Sequence, residues 1–272
     1  MFYPSDMTTN GELSNTEPLD AQRISELLLS HGAKWKQVSV LQSVDSTNSH
    51  ISREMNVVAQ GSPLVVLAEE QTSGLGRLGR AWSSQFGKGI ALSIGLHRSD
   101  VGVEPSALPL IVGLAVHRAL KQNDVFVHLK WPNDLVFLGQ GHEVRKCGGI
   151  LVQNVHDVFI IGIGLNVSHN EAELPTETAT SLLVEGYEIE RNLLVANILS
   201  ALANAVQNPD TWHSEYTTAC ASIGRSVIVH QGVGSSITGT ALRIDSSGAL
   251  ILETPTGEIS VTLGDVEHAT IV

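Results

Sequence analysis

The sequence predicts an α+β protein: a mixed sheet flanked by helices, followed by a small β-barrel. Three observations carry that reading. Over residues 21–222, apolar runs of strand length alternate with segments of helical periodicity, the pattern of a sheet covered by helices. The strand-like runs Ser62–Ala68 and Ile90–Ile94 are joined by a glycine-rich stretch with no helical pattern, so they lack the crossover that a parallel return needs. From Ile223 the chain changes to short alternating strands separated by glycine-bearing turns, which indicates a barrel over residues 223–272.

The elements follow in order. Residues 1–20 are polar and aperiodic and are expected to form a disordered tail. Ile24, Leu27 and Leu28 recur at helical spacing, and that helix should stop near His31-Gly32. A strand through Val38–Leu41 leads to Ser46-Thr47-Asn48, ahead of a helix through Ile51–Met55. Serine, threonine and asparagine are preferred helix caps, and their hydroxyl and amide groups also suit a neutral polar ligand. After Gly89–Leu96, the segment Ala107–Gln122 reads as a long helix with His117 on its surface. A strand over Val125–Leu129 ends in Lys130-Trp131-Pro132-Asn133-Asp134, either a plain turn or something denser, and Leu135–Phe137 is the next strand. Arg145-Lys146-Cys147-Gly148-Gly149 puts cations at the mouth of a strand whose paired glycines allow close approach of a ligand or another backbone. Phe159–Ile163 runs into Gly164-Leu165-Asn166, and helices over Glu190–Val206 and Trp212–Cys220 precede the barrel strands 226–230, 236–244, 249–253 and 258–263.

Composition narrows the functions available. With 272 residues and 42% hydrophobic content, the chain can build a sizeable core. A net charge of −12 argues against nucleic acid as the principal partner, because phosphate-backbone binding needs a cationic surface. Two cysteines, Cys147 and Cys220, form neither a disulfide framework nor a metal spacing, and no apolar run is long enough to span a membrane. A cytoplasmic protein is expected.

Against that acidic background stands Glu70-Gln71-Thr72-Ser73-Gly74-Leu75-Gly76-Arg77-Leu78-Gly79-Arg80-Ala81-Trp82. Three glycines let backbone N–H groups come close to a ligand, and two arginines supply planar forks for phosphate or carboxylate oxygens. A phosphate cradle is the first reading. The spacing Gly74-x-Gly76-x-x-Gly79 also fits a dinucleotide fingerprint, but that motif needs a helix at its end and a strand follows instead. A plain surface loop is the third alternative.

Together the motifs closely resemble the biotin protein ligase family, in the form without an N-terminal DNA-binding domain. The matching residues are Ser46-Thr47-Asn48, Gly74-x-Gly76-Arg77-x-Gly79-Arg80-x-Trp82, Lys130-Trp131-Pro132-Asn133-Asp134, Lys146-x-x-Gly149, Gly162-x-Gly164-x-Asn166 and Ala179-Thr180-Ser181-Leu182. The resemblance implies a class II aminoacyl-tRNA synthetase-like catalytic domain with an SH3-like C-terminal barrel. It also implies a C–N bond-forming ligase that joins biotin to ATP as biotinyl-5'-AMP and passes it to a lysine of a biotin carboxyl carrier protein or domain.

Carried over residue by residue, the resemblance makes Lys146, Arg77, Arg80 and Asp134 catalytic. It assigns Ser46, Thr47, Asn48, Gln71, Gly74, Leu75, Gly76 and Gly149 to biotin, and Arg77, Arg80, Trp82, Lys130, Asn133, Lys146 and Asn166 to ATP and the adenylate. Biotin, ATP and Mg²⁺ are the small molecules implied, with no metal ligated by the protein, and the assembly implied is a monomer or weak homodimer without specific DNA binding. Two departures stand out: Leu75 replaces a customary arginine, and Cys147 follows Lys146 where an aliphatic residue is usual. The alternatives are a lipoate–protein ligase, which uses the same activation chemistry, and a non-enzymatic module that binds a nucleotide or an acid.

Overall fold

The computed structural model describes residues 17–32, 35, 37–140, 143–207, 212–231, 234–262 and 264–268. In chain order its elements are α1 (Ala21–Ser30), β1 (Gln37–Leu41), α2 (Thr47–Arg53), β2 (Leu64–Ala68), β3 (Gln71–Leu75), β4 (Ala81–Ser84), β5 (Gly89–His97), α3 (Leu108–Lys121), β6 (His128–Lys130), β7 (Asp134–Leu138), β8 (Val144–Val155), β9 (Val158–Asn166), α4 (Arg191–Gln207), α5 (Trp212–Ala219), β10 (Ser226–His230), β11 (Ser236–Ile244), β12 (Leu250–Thr254), β13 (Gly257–Val261) and β14 (Asp265–His268). Seven strands form one sheet in the order β1-β2-β5-β9-β8-β7-β6, with β1 and β2 parallel and the other neighbours antiparallel. Five more form the SH3-like C-terminal sheet, in the order β13-β12-β11-β10-β14.

The two faces of the large sheet have different jobs, and the alternation of side chains along β5 and β9 separates them. On β5, Ile90, Leu92, Ile94 and Leu96 enter the main core together with Phe159, Ile161, Ile163 and Leu165 of β9. Helices α1, α3 and α4 contribute to that same core through Ile24, Ile111 and Leu199. The intervening positions of β5 are Gly89, Ala91, Ser93 and Gly95, all small. On β9, Val158 and Ile160 pack with Ile51 of α2 in a separate apolar cluster, and the strand then continues as Gly162, Gly164 and Asn166. Fully burying Ile51 contributes roughly 1.5–3 kcal/mol. Beyond α2 this face is left shallow because its side chains are small.

Several sequence expectations need correction. The expected tail over residues 1–20 falls mostly outside the described residues, but its end is packed. Leu19 is buried, and its N–H donates to Glu69 Oε1 at 2.5 Å, while the other Glu69 oxygen receives Arg191 Nη1 at 2.8 Å. The helix expected at Ile51 begins at Thr47, because Ser46 caps it by accepting from the Ser49 N–H. The strand expected over Val125–Leu129 shortens to β6, since β7 pairs only with His128, Leu129 and Lys130. His117 is half-buried rather than on the surface, with Nδ1 3.0 Å from the Val127 carbonyl, and burial lowers its pKa. The barrel segment contains an additional strand, β14, which pairs with β10.

Candidate active site

The glycine-rich segment forms a hairpin. β3 and β4 pair through Gly74 with Trp82 and Leu75 with Ala81, and the tip closes by Gly76 N–H donating to the Arg80 carbonyl at 2.7 Å. Gly79 takes φ +74° in the tip, next to Leu78 at φ +55°, whose side chain is 82% exposed. A Cβ at Gly74 would run into the Trp82 carbonyl, so that glycine is required by the hairpin itself.

This hairpin covers the shallow face of the sheet and encloses an open cleft of about 560 Å³. Of the residues expected at the site, Ser46, Thr47, Asn48, Gln71, Gly74, Leu75, Gly76, Arg77, Arg80, Trp82, Asn133, Lys146, Gly149 and Asn166 line it, whereas Lys130 and Asp134 do not. The floor is built from absent side chains. A Cβ on Gly164 would lie 2.5 Å from Trp82 Cε2, and one on Gly162 would lie 2.5 Å from Asn48 Oδ1.

One end of the cleft is neutral and hydrogen-bonded. Gln71 Oε1 accepts from the Thr47 backbone N–H at 2.9 Å, and Ser93 Oγ sits 2.6 Å from both Thr47 Oγ1 and Asn48 Oδ1. Asn48 Nδ2 donates to Gln153 Oε1 at 2.8 Å.

The other end is cationic. Lys146 Nζ lies 2.5 Å from Asp134 Oδ1 and 5.7 Å from the centre of the Trp82 ring. The backbone of Lys146 is laced to the loop ahead of α4, donating to the Thr178 carbonyl and accepting from the Thr180 N–H. The Thr180 carbonyl in turn receives Asn166 Nδ2 at 2.9 Å, so one loop holds the Lys146 backbone and the Asn166 side chain. Arg77 Nη1 donates to Asn133 Oδ1 at 3.0 Å and to Asp265 Oδ1 at 3.1 Å, and Arg80 Nη2 donates to Asp265 Oδ2 at 2.8 Å. Asn133 is itself pinned to the backbone of Ile150 through its Nδ2. With side-chain exposures of 20% for Arg77 and 62% for Arg80, the former is the better anchored.

Lys130 stands behind this group. Burial, reinforced by Lys146 and opposed by Asp134, lowers its pKa. Four cations thus face two carboxylates, a cluster that favours polyanions. Burial pushes the Cys147 thiol well up, in keeping with a small hydrophobe.

Sequence reasoning missed Asp265, Ser93 and Gln153. Asp265 belongs to the strand that was not expected, and nothing near it in sequence links it to Arg77. Ser93 left a usable signal, the run of small residues at alternate positions of β5. Trp131, in the same pentapeptide as Asn133 and Asp134, is buried and donates from Nε1 to the Gly248 carbonyl at 3.0 Å, so it ties the C-terminal sheet to the large domain.

The chain is similar to known proteins over most of its length. Residues 40–170 match the biotin/lipoate A/B protein ligase family, and residues 222–269 match the biotin protein ligase C-terminal domain. The chain is 32% identical to the biotin–[acetyl-CoA-carboxylase] ligase of Mycobacterium tuberculosis over 262 residues, covering 92% of this chain and 96% of the relative. It is 30% identical to the bifunctional ligase/repressor BirA of Salmonella typhimurium, covering 86% of this chain and 73% of that one. In three dimensions it is similar to the Aquifex aeolicus biotin protein ligase in complex with biotin and ATP, with a TM-score of 0.74, 27% identity and coverage of 86% of this chain and 100% of the other. With a curated relative spanning nearly the whole chain and both matched segments in agreement, the chain belongs to the biotin protein ligase family.

Proposed function

We propose that the cleft joins biotin to ATP, delivered as its magnesium complex, and passes the acyl group to a lysine of a biotin carboxyl carrier domain in a biotin-dependent carboxylase. The observation that carries this is the polarity of the cleft, hydrogen-bonding and neutral at one end and cationic at the other. Biotin has the complementary shape, a neutral ureido head and a carboxylate tail. Ser46, Thr47 and Gln71 hold the head, supported by Asn48, while Gly74, Leu75, Gly76 and Gly149 frame the acid as it passes along the floor. Leu75 contributes backbone donors but no charge. Trp82, Asn133 and Asn166 lie on the nucleotide side with Lys130.

In the first step a biotin carboxylate oxygen attacks the α-phosphorus of ATP and pyrophosphate leaves. Two anions must approach, and each unit charge neutralised at 4 Å is worth about 4 kcal/mol at an effective dielectric of 20. Lys146, Arg77 and Arg80 supply that neutralisation. Magnesium enters on the phosphates of ATP, whose oxygens are the hard ligands that this ion prefers.

In the second step a lysine amine of the acceptor displaces AMP from the acyl carbon. At its ordinary pKa, roughly one such lysine in 2,500 is neutral at pH 7. Asp134 is paired with Lys146 at rest. When Lys146 turns to the substrates, the freed carboxylate accepts a hydrogen bond from the incoming ammonium and then its proton.

The test is to incubate the protein with MgATP and either biotin or lipoate and to follow the adenylate by mass spectrometry. Biotinyl-5'-AMP is expected, and Lys146→Ala should lower its formation by about 10²-fold or more, by comparison with loss of one preorganised donor. Lipoyl-AMP in preference to biotinyl-5'-AMP would overturn the substrate, and normal turnover by Lys146→Ala would overturn the role of that residue.

A further inference from the structure

We infer that Glu185 is a positioning residue for the nucleotide half of the reaction: paired with Arg145, it anchors Thr180, and through Thr180 it fixes the Lys146 backbone and the Asn166 amide. This rests on the reading of the cleft as a site for biotin and ATP and deepens it.

Thr180 is fully buried, and each of its polar groups meets a different element. Its N–H donates to the Lys146 carbonyl of β8 at 2.9 Å, and its carbonyl accepts from Asn166 Nδ2 at the end of β9 at 2.9 Å. The hydroxyl makes the third contact, donating to Glu185 Oε1 at 2.6 Å. The other Glu185 oxygen receives Arg145 Nη2 at 3.0 Å. Arg145 directly precedes Lys146 on β8 and is in register with Phe137 of β7, so the anchor returns to the strand that carries the lysine. The result is a closed circuit from the Lys146 backbone through Thr180, Glu185 and Arg145 back to β8.

Side-chain exposures of 12% for Glu185 and 29% for Arg145 leave water a weak competitor for these bonds. Thr180 and Arg145 both donate toward position 185, and a carboxylate, with two oxygens that only accept, satisfies both at once. Lys146 and Asn166 line the cleft, whereas Arg145, Thr180 and Glu185 do not, so Glu185 acts through Thr180 and touches no substrate. The residues that hold the biotin head are elsewhere, at the start of α2 and on β3. Loosening the circuit should therefore weaken the use of ATP and spare biotin.

The experiment measures biotin-dependent pyrophosphate release with ATP varied, and equilibrium binding of biotin alone. Glu185→Ala should raise the KM for ATP about tenfold or more, the order of a lost hydrogen bond to a charged group. Its Kd for biotin should stay within about threefold, as for an uncoupled site. Glu185→Gln is the conservative rescue: its amide oxygen can turn to Arg145 and its nitrogen to the Thr180 hydroxyl, which then accepts instead of donating. Both bonds survive, and the KM for ATP should rise by no more than about threefold. Thr180→Val removes the hydroxyl, keeps the two backbone groups, and should follow Glu185→Ala. Because both changes break one bond, the double variant Thr180→Val/Glu185→Ala should be little worse than the poorer single one.

An unchanged KM for ATP in Glu185→Ala, equal weakening of ATP and biotin, a Glu185→Gln variant no better than Glu185→Ala, or additive effects in the double variant would each overturn the inference while leaving the reading of the cleft intact. Should Glu185→Ala fail to fold, Thr180→Val decides alone, and a normal KM for ATP in that variant overturns the inference. Absence of pyrophosphate release by the unmodified protein with biotin and ATP would overturn the reading and the inference with it.

Discussion

Gly164→Ala tests whether the floor of the cleft is bare in order to seat Trp82. The added Cβ would stand 2.5 Å from Trp82 Cε2, 2.7 Å from Nε1 and 2.8 Å from Cζ2, where ordinary carbon contacts lie at about 3.5–4.0 Å. Something must move by about 1 Å. The strand cannot, because Gly164 pairs with Ala91 of β5 on one side and Gly149 of β8 on the other. The half-buried indole, carried on the hairpin, is what yields, and it leaves its place beside Lys146.

Overpacking of this kind costs about 1–3 kcal/mol. If the hairpin absorbs it by lifting, the cost falls on the ligand-bound state and weakens ATP binding by about 5- to 150-fold, at 1.4 kcal/mol per factor of ten. Folding stability should then change by less than about 1 kcal/mol, or a shift in Tm of under about 4 °C. The assay is the KM for ATP in biotin-dependent pyrophosphate release, for Gly164→Ala alone and in a Trp82→Ala background. In that background the methyl has room, and the further effect of Gly164→Ala should be within about threefold, as for uncoupled sites. A full effect without the indole would refute the reasoning, as would a large fall in Tm at unchanged KM. Gly162→Ala, two residues earlier under Asn48, should instead raise the KM for biotin.

Two further outcomes follow from side chains far from the floor. Asp265→Asn removes the carboxylate that receives both Arg77 and Arg80, so it should cost about 0.5–1.5 kcal/mol for two partly exposed pairs and speed tryptic cleavage after those arginines; unchanged cleavage would show that β14 does not hold the hairpin tip. Burial lowers the pKa of His117 and of His169 below 6.5, so below that pH the unfolded chain binds more protons than the folded one and stability falls with acidification. Thermal melts between about pH 7.5 and 5 should show this fall, with a shallower slope in His117→Gln/His169→Gln; parallel slopes would remove these histidines as its cause.

What the sequence disclosed and what it hid have a common physical origin. Each legible motif sits where a strand ends or a turn reverses, and there a few adjacent residues must supply glycines, caps and charges together. Ser46-Thr47-Asn48 is legible because it starts a helix, and Asn133-Asp134 because it turns β6 into β7. Even so, local reasoning took the arginine segment for a loop, since nothing in Gly74–Gly79 alone shows that Trp82 returns to pair with Gly74. Asp265 was hidden for a stronger reason. Its partners lie 185 and 188 residues away, and a carboxylate after a glycine in an acidic chain carries no local mark. Ser93 falls between these cases. A lone serine in an apolar strand usually means only a tolerated buried hydroxyl, but its neighbours on the same face are Gly89, Ala91 and Gly95. A strand that keeps one face apolar for the core and strips the other of bulk is reserving space for something that is not its own side chain. At Gly162 and Gly164 that space is filled from above by Asn48 and Trp82, so the small residues of the sheet and the large residues that cover them are two halves of one binding surface.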